Sequence, residues 1–476
     1  MPKRNRYAVL LTIITGFAGI LYGLGGAALA VALPYIKGAY NFTPSQLSML
    51  VAGCMLGAVI SSAGAGSLAD YLGRRKAMLI AAAVFGAGYL LAGFFGSIAY
   101  SLMLGLIVFA GMGMGILGVV VPMYIAECTA ASARGKTTAV FQLVLIVGAV
   151  LTGIAGIILA YLVGPADSAA MTQADFIVGW RSILFAVSVP AILLALLIGL
   201  LKESPRWLYR KGRKEEALAS LAANNGEEAA KVILAEMIDA DAQAAAAKAA
   251  ERARVKDSVF QRKYLVPFLI AFTVLVCNQT TGINAVLGFS VMIFKDAGLS
   301  GVIVNYADTL FKIAMLIATI LACVLVDTKG RKFLLKLGTS GIILSMTAAG
   351  VAFLGIRYGW WISGEVNGWF ITICLTLFIT SFSIGPGVCV WLALTELMPN
   401  RIRAVGMSVA LFANQGVSFG LEALMLPMKE AVGYGWIFLG FALCTIVYFV
   451  TAAFFMPETK GRTLEEIEAY FADRNK

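Results

Sequence analysis

The sequence has no histidine. That excludes zinc sites built on imidazole, and with them Ser-His and Cys-His nucleophilic catalysis. Charge is also scarce: 13% of the 476 residues are Asp, Glu, Lys or Arg, against 60% hydrophobic residues. Such a chain is not an ordinary soluble protein, and its solvent must be lipid. The seven cysteines (54, 128, 277, 323, 374, 389 and 444) follow no regular disulfide spacing and lie in or beside apolar runs, which marks them as packing residues. No metal site and no cofactor is expected.

What the chain has instead is apolar runs of about 20 residues, the length that crosses a ~30 Å hydrocarbon core. Twelve are found, at 8–33, 46–68, 77–97, 101–122, 137–162, 182–201, 265–291, 303–326, 334–355, 369–394, 404–427 and 434–455. Lys3, Arg4 and Arg6 precede the first, but it is too long for a signal peptide and is read as a retained span. Threaded from a cytoplasmic N-terminus, only Lys37, Arg181, Lys295, Arg357 and Lys429 of the 37 basic residues fall outside, with Lys312 inside a span. By the positive-inside rule both termini are expected in the cytoplasm of a cell-membrane protein. The net charge of +11 then reflects anchoring opposite anionic lipid, not a nucleic-acid partner.

Residues 202–263 form the one long polar interruption, rich in Ala, Glu, Lys and Arg at helical spacing, and are read as a cytoplasmic helical linker. The sequence on its two sides repeats. Asp70-Tyr-Leu-Gly73-Arg74 after the second span returns as Asp327-Thr-Lys-Gly330-Arg331 after the eighth. Glu127 and Arg134 after the fourth return as Glu396 and Arg403 after the tenth, and Glu203-Ser-Pro-Arg at the end of the sixth as Pro457-Glu458-Thr-Lys at the end of the twelfth. The expected fold is therefore all-α: a six-helix bundle at 1–201, the linker at 202–263, a second bundle at 264–457 and a cytoplasmic tail at 458–476. Acids and arginines at those helix ends are suited to ion pairs within and between the halves that hold the cytoplasmic face closed. Anchoring alone would need neither Glu at fixed spacing nor a glycine between Asp and Arg.

Across nearly its whole length the sequence resembles the sugar porters of the major facilitator superfamily. The resemblance is carried by Gly66-Ser-Leu-Ala-Asp70-Tyr-Leu-Gly-Arg-Arg75, Pro122-Met-Tyr-Ile-Ala-Glu127 with Arg134-Gly135, Gly179-Trp-Arg181, Glu203-Ser-Pro-Arg-Trp-Leu208, Asp327 to Lys332, Glu396-Leu-Met-Pro399 and Pro457-Glu-Thr-Lys-Gly461. It implies two bundles, each of inverted three-helix repeats, that rock about a midplane site. The partners it implies are a small sugar or polyol and the lipid bilayer, with no nucleic acid, and a monomer is compatible with it.

A sugar buries hydroxyls that need partners, so its site needs uncharged amides at mid-membrane depth. Gln142 and the stretch Asn278-Gln279-Thr280-Thr281-Gly282-Ile283-Asn284 supply them, though interhelical hydrogen bonds would explain any one alone. The resemblance carries a sugar-binding role to Gln142, Gln279 and Asn284, to Asn278 where the family usually has Gln, to Trp391 after Gly385-Pro386-Gly387, and to Asn414. Departures are also visible. Gly288-Phe289 stands where the family has an aromatic pair that helps close the outer gate, so outer closure must rest on other residues. Val388 and Val390 replace two prolines, giving a less broken tenth span, and Met315 replaces an Asn.

The proton-coupling pair of the family, an aspartate in the first span and an arginine in the fourth, is Gly25 and Ile107 here. That points to a facilitator or to atypical coupling. The eighth span carries Asp308 and Lys312, four apart and able to pair on one face, with Lys312 about 14 Å deep. Together with Glu422, which follows Asn414 and Ser418 at intervals of four, they have three readings: a self-neutralised structural pair, a replacement proton-coupling site, or a counter-charge for an acidic sugar. An intramembrane enzyme lacks a catalytic constellation, and a transporter-like nutrient sensor is disfavoured by the short stretch after Met456.

Overall fold

Lipid offers no hydrogen bonds, so a chain crossing it must satisfy its backbone internally. The computed structural model describes residues 6–128, 131–239, 261–361, 364–398, 402–458, 466 and 470–471, and among them twelve helical segments are long and apolar enough to cross a membrane. The first six are α1 (Arg6–Ala39), α2 (Pro44–Leu72), α3 (Arg74–Phe95), α4 (Tyr100–Cys128), α5 (Ala131–Leu162) and α6 (Gln173–Ile198). The linker contributes α7 (Pro205–Arg210), α8 (Lys214–Asn225) and a helical stretch α9 at 227–239. The rest are α10 (Arg262–Thr280), α11 (Ile283–Asp296), α12 (Ile303–Lys329), α13 (Arg331–Arg357), α14 (Glu365–Ile384), α15 (Pro386–Leu397), α16 (Arg403–Val432) and α17 (Tyr434–Val450).

The first span runs past its expected end at 33 to Ala39, with Pro34 inside the helix. Tyr35 and Ile36 are buried there, and the Tyr35 hydroxyl donates to Gly164 O at 2.9 Å, which rewards the extension. Two spans are broken. The seventh divides into α10 and α11 at Gly282, whose left-handed backbone (φ 82°, ψ 13°) suits glycine and whose missing side chain is replaced by the ring of Phe441. The tenth divides into α14 and α15 at Gly385-Pro386; beyond it Val388 and Val390 are helical, so this span has a single break.

The sequence repeat reappears as backbone geometry. Gly73 between α2 and α3 (φ 95°, ψ 156°) and Gly330 between α12 and α13 (φ 88°, ψ 161°) adopt the same extended, positive-φ turn, a region open essentially to glycine alone. In the linker, Ser204 caps α7 by accepting from Trp207 N, and Leu221, Ala230 and Met237 form a small core of their own.

The chain forms two compact units. One holds residues 1–25, 56–148 and 185–258; the other holds 26–55, 149–184 and 259–476. The second unit thus includes ends of α1, α2, α5 and α6 packed with the second six spans. Five of the seven cysteines are buried, Cys277 and Cys389 within one apolar cluster with Leu275, Leu334 and Tyr448.

Candidate functional site

On the linker side of the first unit, the Gly73 turn sets Arg74 at the start of α3, where it is 2% exposed. Its Nε and Nη2 each donate to the Glu127 carboxylate at 2.9 Å, a bidentate pair, while Nη1 reaches Asp70 at 2.8 Å and Ala69 O at 3.1 Å. Ser204 Oγ donates to Glu127 as well. Glu203 accepts the Arg75 and Ser204 backbone N–H groups at 3.0 and 2.9 Å, capping α3 with a carboxylate. Asp70, Arg74, Glu127 and Glu203 are thereby one network.

The second unit repeats this arrangement more loosely. Glu458 accepts the Arg331 and Lys332 N–H groups at 3.1 and 3.2 Å, as Glu203 does for α3. Among the described residues Arg331 meets Glu396 through one contact of 3.2 Å, leaving Arg331 Nε and Glu396 Oε2 buried without a hydrogen-bond partner there. Both described pairs lie within one half of the sequence. The side chains of Arg134, Asp327, Arg403 and Gln142 lie outside the described residues.

At the break of the seventh span the polar side chains converge. Gln279 Nε2 donates to Asn414 Oδ1 at 3.2 Å, and Asn284 Nδ2 donates to Gln279 Oε1 at 3.0 Å and to Ser418 Oγ at 2.7 Å. Asn414 Nδ2 in turn donates to Leu275 O at 2.7 Å. Gln279, Asn414 and Ser418 are buried, and each amide keeps unused donors or acceptors. Asn278, 4% exposed, has an Oδ1 with no hydrogen-bond partner among the described residues. Trp391, on α15 just past the other break, is exposed. The structure therefore joins Asn284 and Asn414 through Gln279, and adds Ser418 as a further partner of Asn284.

Asp308 and Lys312 pair at 2.7 Å on α12, both almost without solvent contact, and Ser290 of α11 donates to the other Asp308 oxygen at 2.5 Å. Nothing in the sequence context of Ser290 points to a partner 18 positions on. Glu422 is buried on the same face of α16 as Asn414 and Ser418. Gly25 is packed under Phe85: a β-carbon there would stand 2.6 Å from Phe85 Cε2, and Tyr89 donates to Gly25 O at 3.0 Å. Ile107 is fully buried.

Within the second unit the ends of the early spans meet the late ones. Ser48 accepts from Leu426 N at 2.9 Å, Asp167 from Gly301 N at 2.9 Å, and the Tyr161 and Tyr306 hydroxyls lie 3.2 Å apart. Gly288 packs on Val51.

The model of a family described as sugar (and other) transporter matches residues 11–471. The chain is 31% identical to the glucose transporter GlcP of Staphylococcus epidermidis, over 99% of its own length and 98% of the relative's. It is 30% identical to polyol transporter 5 of Arabidopsis thaliana, over 99% and 87% of the two chains. Among solved structures, the inward-open form of the xylose transporter XylE from E. coli superposes with a TM-score of 0.81 over 98% of this chain and 100% of that one, at 22% identity, which shows a shared fold.

Proposed function

The chain belongs to the sugar (and other) transporter family, a secondary transporter and not an enzyme, and on that premise we propose that it carries an uncharged monosaccharide or polyol down its gradient by alternating access. The observation that carries this reading is the amide network at the break of the seventh span. Gln279, Asn284, Asn414 and Ser418 present donors and acceptors without net charge, and their bonds to one another can be exchanged for bonds to hydroxyls at little net cost. Asn278, with its unpartnered carbonyl, and Gln142 extend the set, and Trp391 offers a flat apolar face. The glucose and polyol carriers among the relatives support the same class of cargo.

Two further assignments complete the proposal. Bundles 1–201 and 264–457 move about the site, joined by the linker 202–263, and the linker side faces the cytoplasm with both termini, as its excess of Lys and Arg supports. The networks of Asp70, Arg74, Glu127 and Glu203 and of Arg331, Glu396 and Glu458, with Asp327, Arg134 and Arg403 beside them in sequence, then form the inner gate. Phe85 filling the place of a coupling aspartate at Gly25 supports facilitated transport over proton symport. Lys312 is engaged by Asp308, which supports a neutral cargo over an acidic sugar.

A thermal-stability screen tests the assignment. A neutral hexose, pentose or polyol should raise the unfolding temperature with a shift that grows as the logarithm of its concentration, and Asn284→Ala should lose most of it. Stabilisation by uronates alone would replace the neutral cargo with an acidic one.

A further inference from the structure

Asn305, Asp308, Thr309 and Lys312 of α12 are 8%, 1%, 6% and 0% exposed. At 3.6 residues per turn these four share an arc of roughly 100° on the helix. Two neighbours close over it. From α11 comes Ser290, bonded to Asp308. From α5 come two glycines: a β-carbon on Gly153 would stand 2.8 Å from Thr309 Oγ1 and 3.2 Å from its Cα, and one on Gly156 would stand 3.2 Å from Asn305 Oδ1. Helix backbone set this close to a polar stripe leaves no layer of water between them, and Lys312 lies in the arc between Asn305 and Asp308.

The helix α5 belongs to the first six spans and α12 to the second. Under alternating access, on which this inference rests, the seam between them must part when the outer face opens, and water then reaches the stripe. Taking two charges out of water costs heavily, and attraction between them often fails to return the cost; apolar residues of similar volume in place of a buried pair are frequently neutral or stabilising, whereas one partner left alone is strongly destabilising. We infer that Asp308 and Lys312 are positioning residues of the outer gate, a pair desolvated only while that face is closed, which pushes the closed face towards opening. The pair touches no cargo in this account. It sets how readily the empty carrier returns to face outward.

The test reads conformation and not uptake, so it stands or fails apart from the cargo assignment. In a cysteine-free background, Val51→Cys, at a position 5% exposed and packed on Gly288, reports the outer face by its rate of reaction with a membrane-impermeant maleimide added to intact cells. Asp308→Leu with Lys312→Met should slow that reaction several-fold, because the closed face no longer holds buried charge. Asp308→Asn alone and Lys312→Met alone should speed it several-fold, each leaving one charge unpaired in the closed state. Gly153→Leu, with the pair intact, should also speed it by wedging α5 from α12. Size-exclusion profiles and unfolding temperatures accompany each variant, and Asp308→Asn with Lys312→Met repeats the neutral arm if the apolar double variant fails to fold. A neutral pair that reacts at the parent's rate or faster overturns the inference, and Asp308–Lys312 is then a staple between α11 and α12.

Discussion

Glu203 accepts the backbone N–H of Arg75 at 3.0 Å, and in doing so its carboxylate fills the space where a side chain at Gly73 would begin. The glycine of the repeated Asp-x-x-Gly-Arg motif is thus required twice, by its backbone angles and by the acid that caps the next helix. Gly73→Ala should destabilise the protein by about 2–4 kcal/mol, from strain together with the lost cap. Gly330→Ala should cost less, since a β-carbon there would stand 2.8 Å from Glu458 and has slightly more room. Unfolding temperatures in detergent compare the two.

The ion pairs beside those turns differ in strength. Arg74→Ala leaves Glu127, 11% exposed, without its bidentate partner, a loss of about 3–5 kcal/mol to the closed inner gate. Arg331→Ala removes a single 3.2 Å contact to a Glu396 that is 22% exposed, and about 1 kcal/mol is expected. Thiol labelling from the cytoplasmic side should therefore rise much more for the first variant. Equal labelling would show that the two halves do not share the load as their geometry indicates.

In the amide network, Gln279→Ala and Asn284→Ala each remove a group whose hydrogen bonds a bound hydroxyl would use. Affinity should fall by about 1–3 kcal/mol, roughly tenfold to a hundredfold, with unfolding temperature little changed. Asn414→Ala should do more, because Leu275 O loses its donor and Gln279 its acceptor at once. Isothermal titration with the cargo found in the stability screen measures all three.

Gly25→Asp restores the acid of proton-coupled relatives in name only. Its side chain would collide with Phe85, so the variant should lose stability and gain no response to a proton gradient. A fully stable variant whose uptake becomes gradient-dependent would show that the pocket at Gly25 is more forgiving than its packing indicates.

Much of this architecture was legible in the sequence. Twelve spans follow from hydropathy, because lipid demands long apolar helices, and the Asp308–Lys312 pair follows from a spacing of four on one helix. The Gly73 and Gly330 turns and the Glu203 and Glu458 motifs could each be read as repeats, though not that these carboxylates press on those turns. What stayed hidden depends on docking between distant segments. Ser290 meets Asp308, Gly153 meets Thr309 and Ser48 meets Leu426 across 18, 156 and 378 positions, and no local periodicity records such meetings. The end of α1 was also missed, since Pro34 reads as a stop in water but is tolerated inside a membrane helix.

The central claim, facilitated movement of a neutral sugar or polyol, is tested most directly by uptake into proteoliposomes holding the purified protein and a labelled cargo from the stability screen. Saturable entry down the gradient is predicted, with counterflow against preloaded unlabelled cargo and initial rates unchanged by an imposed proton gradient. Binding without entry, or uphill accumulation driven by that gradient, would contradict it.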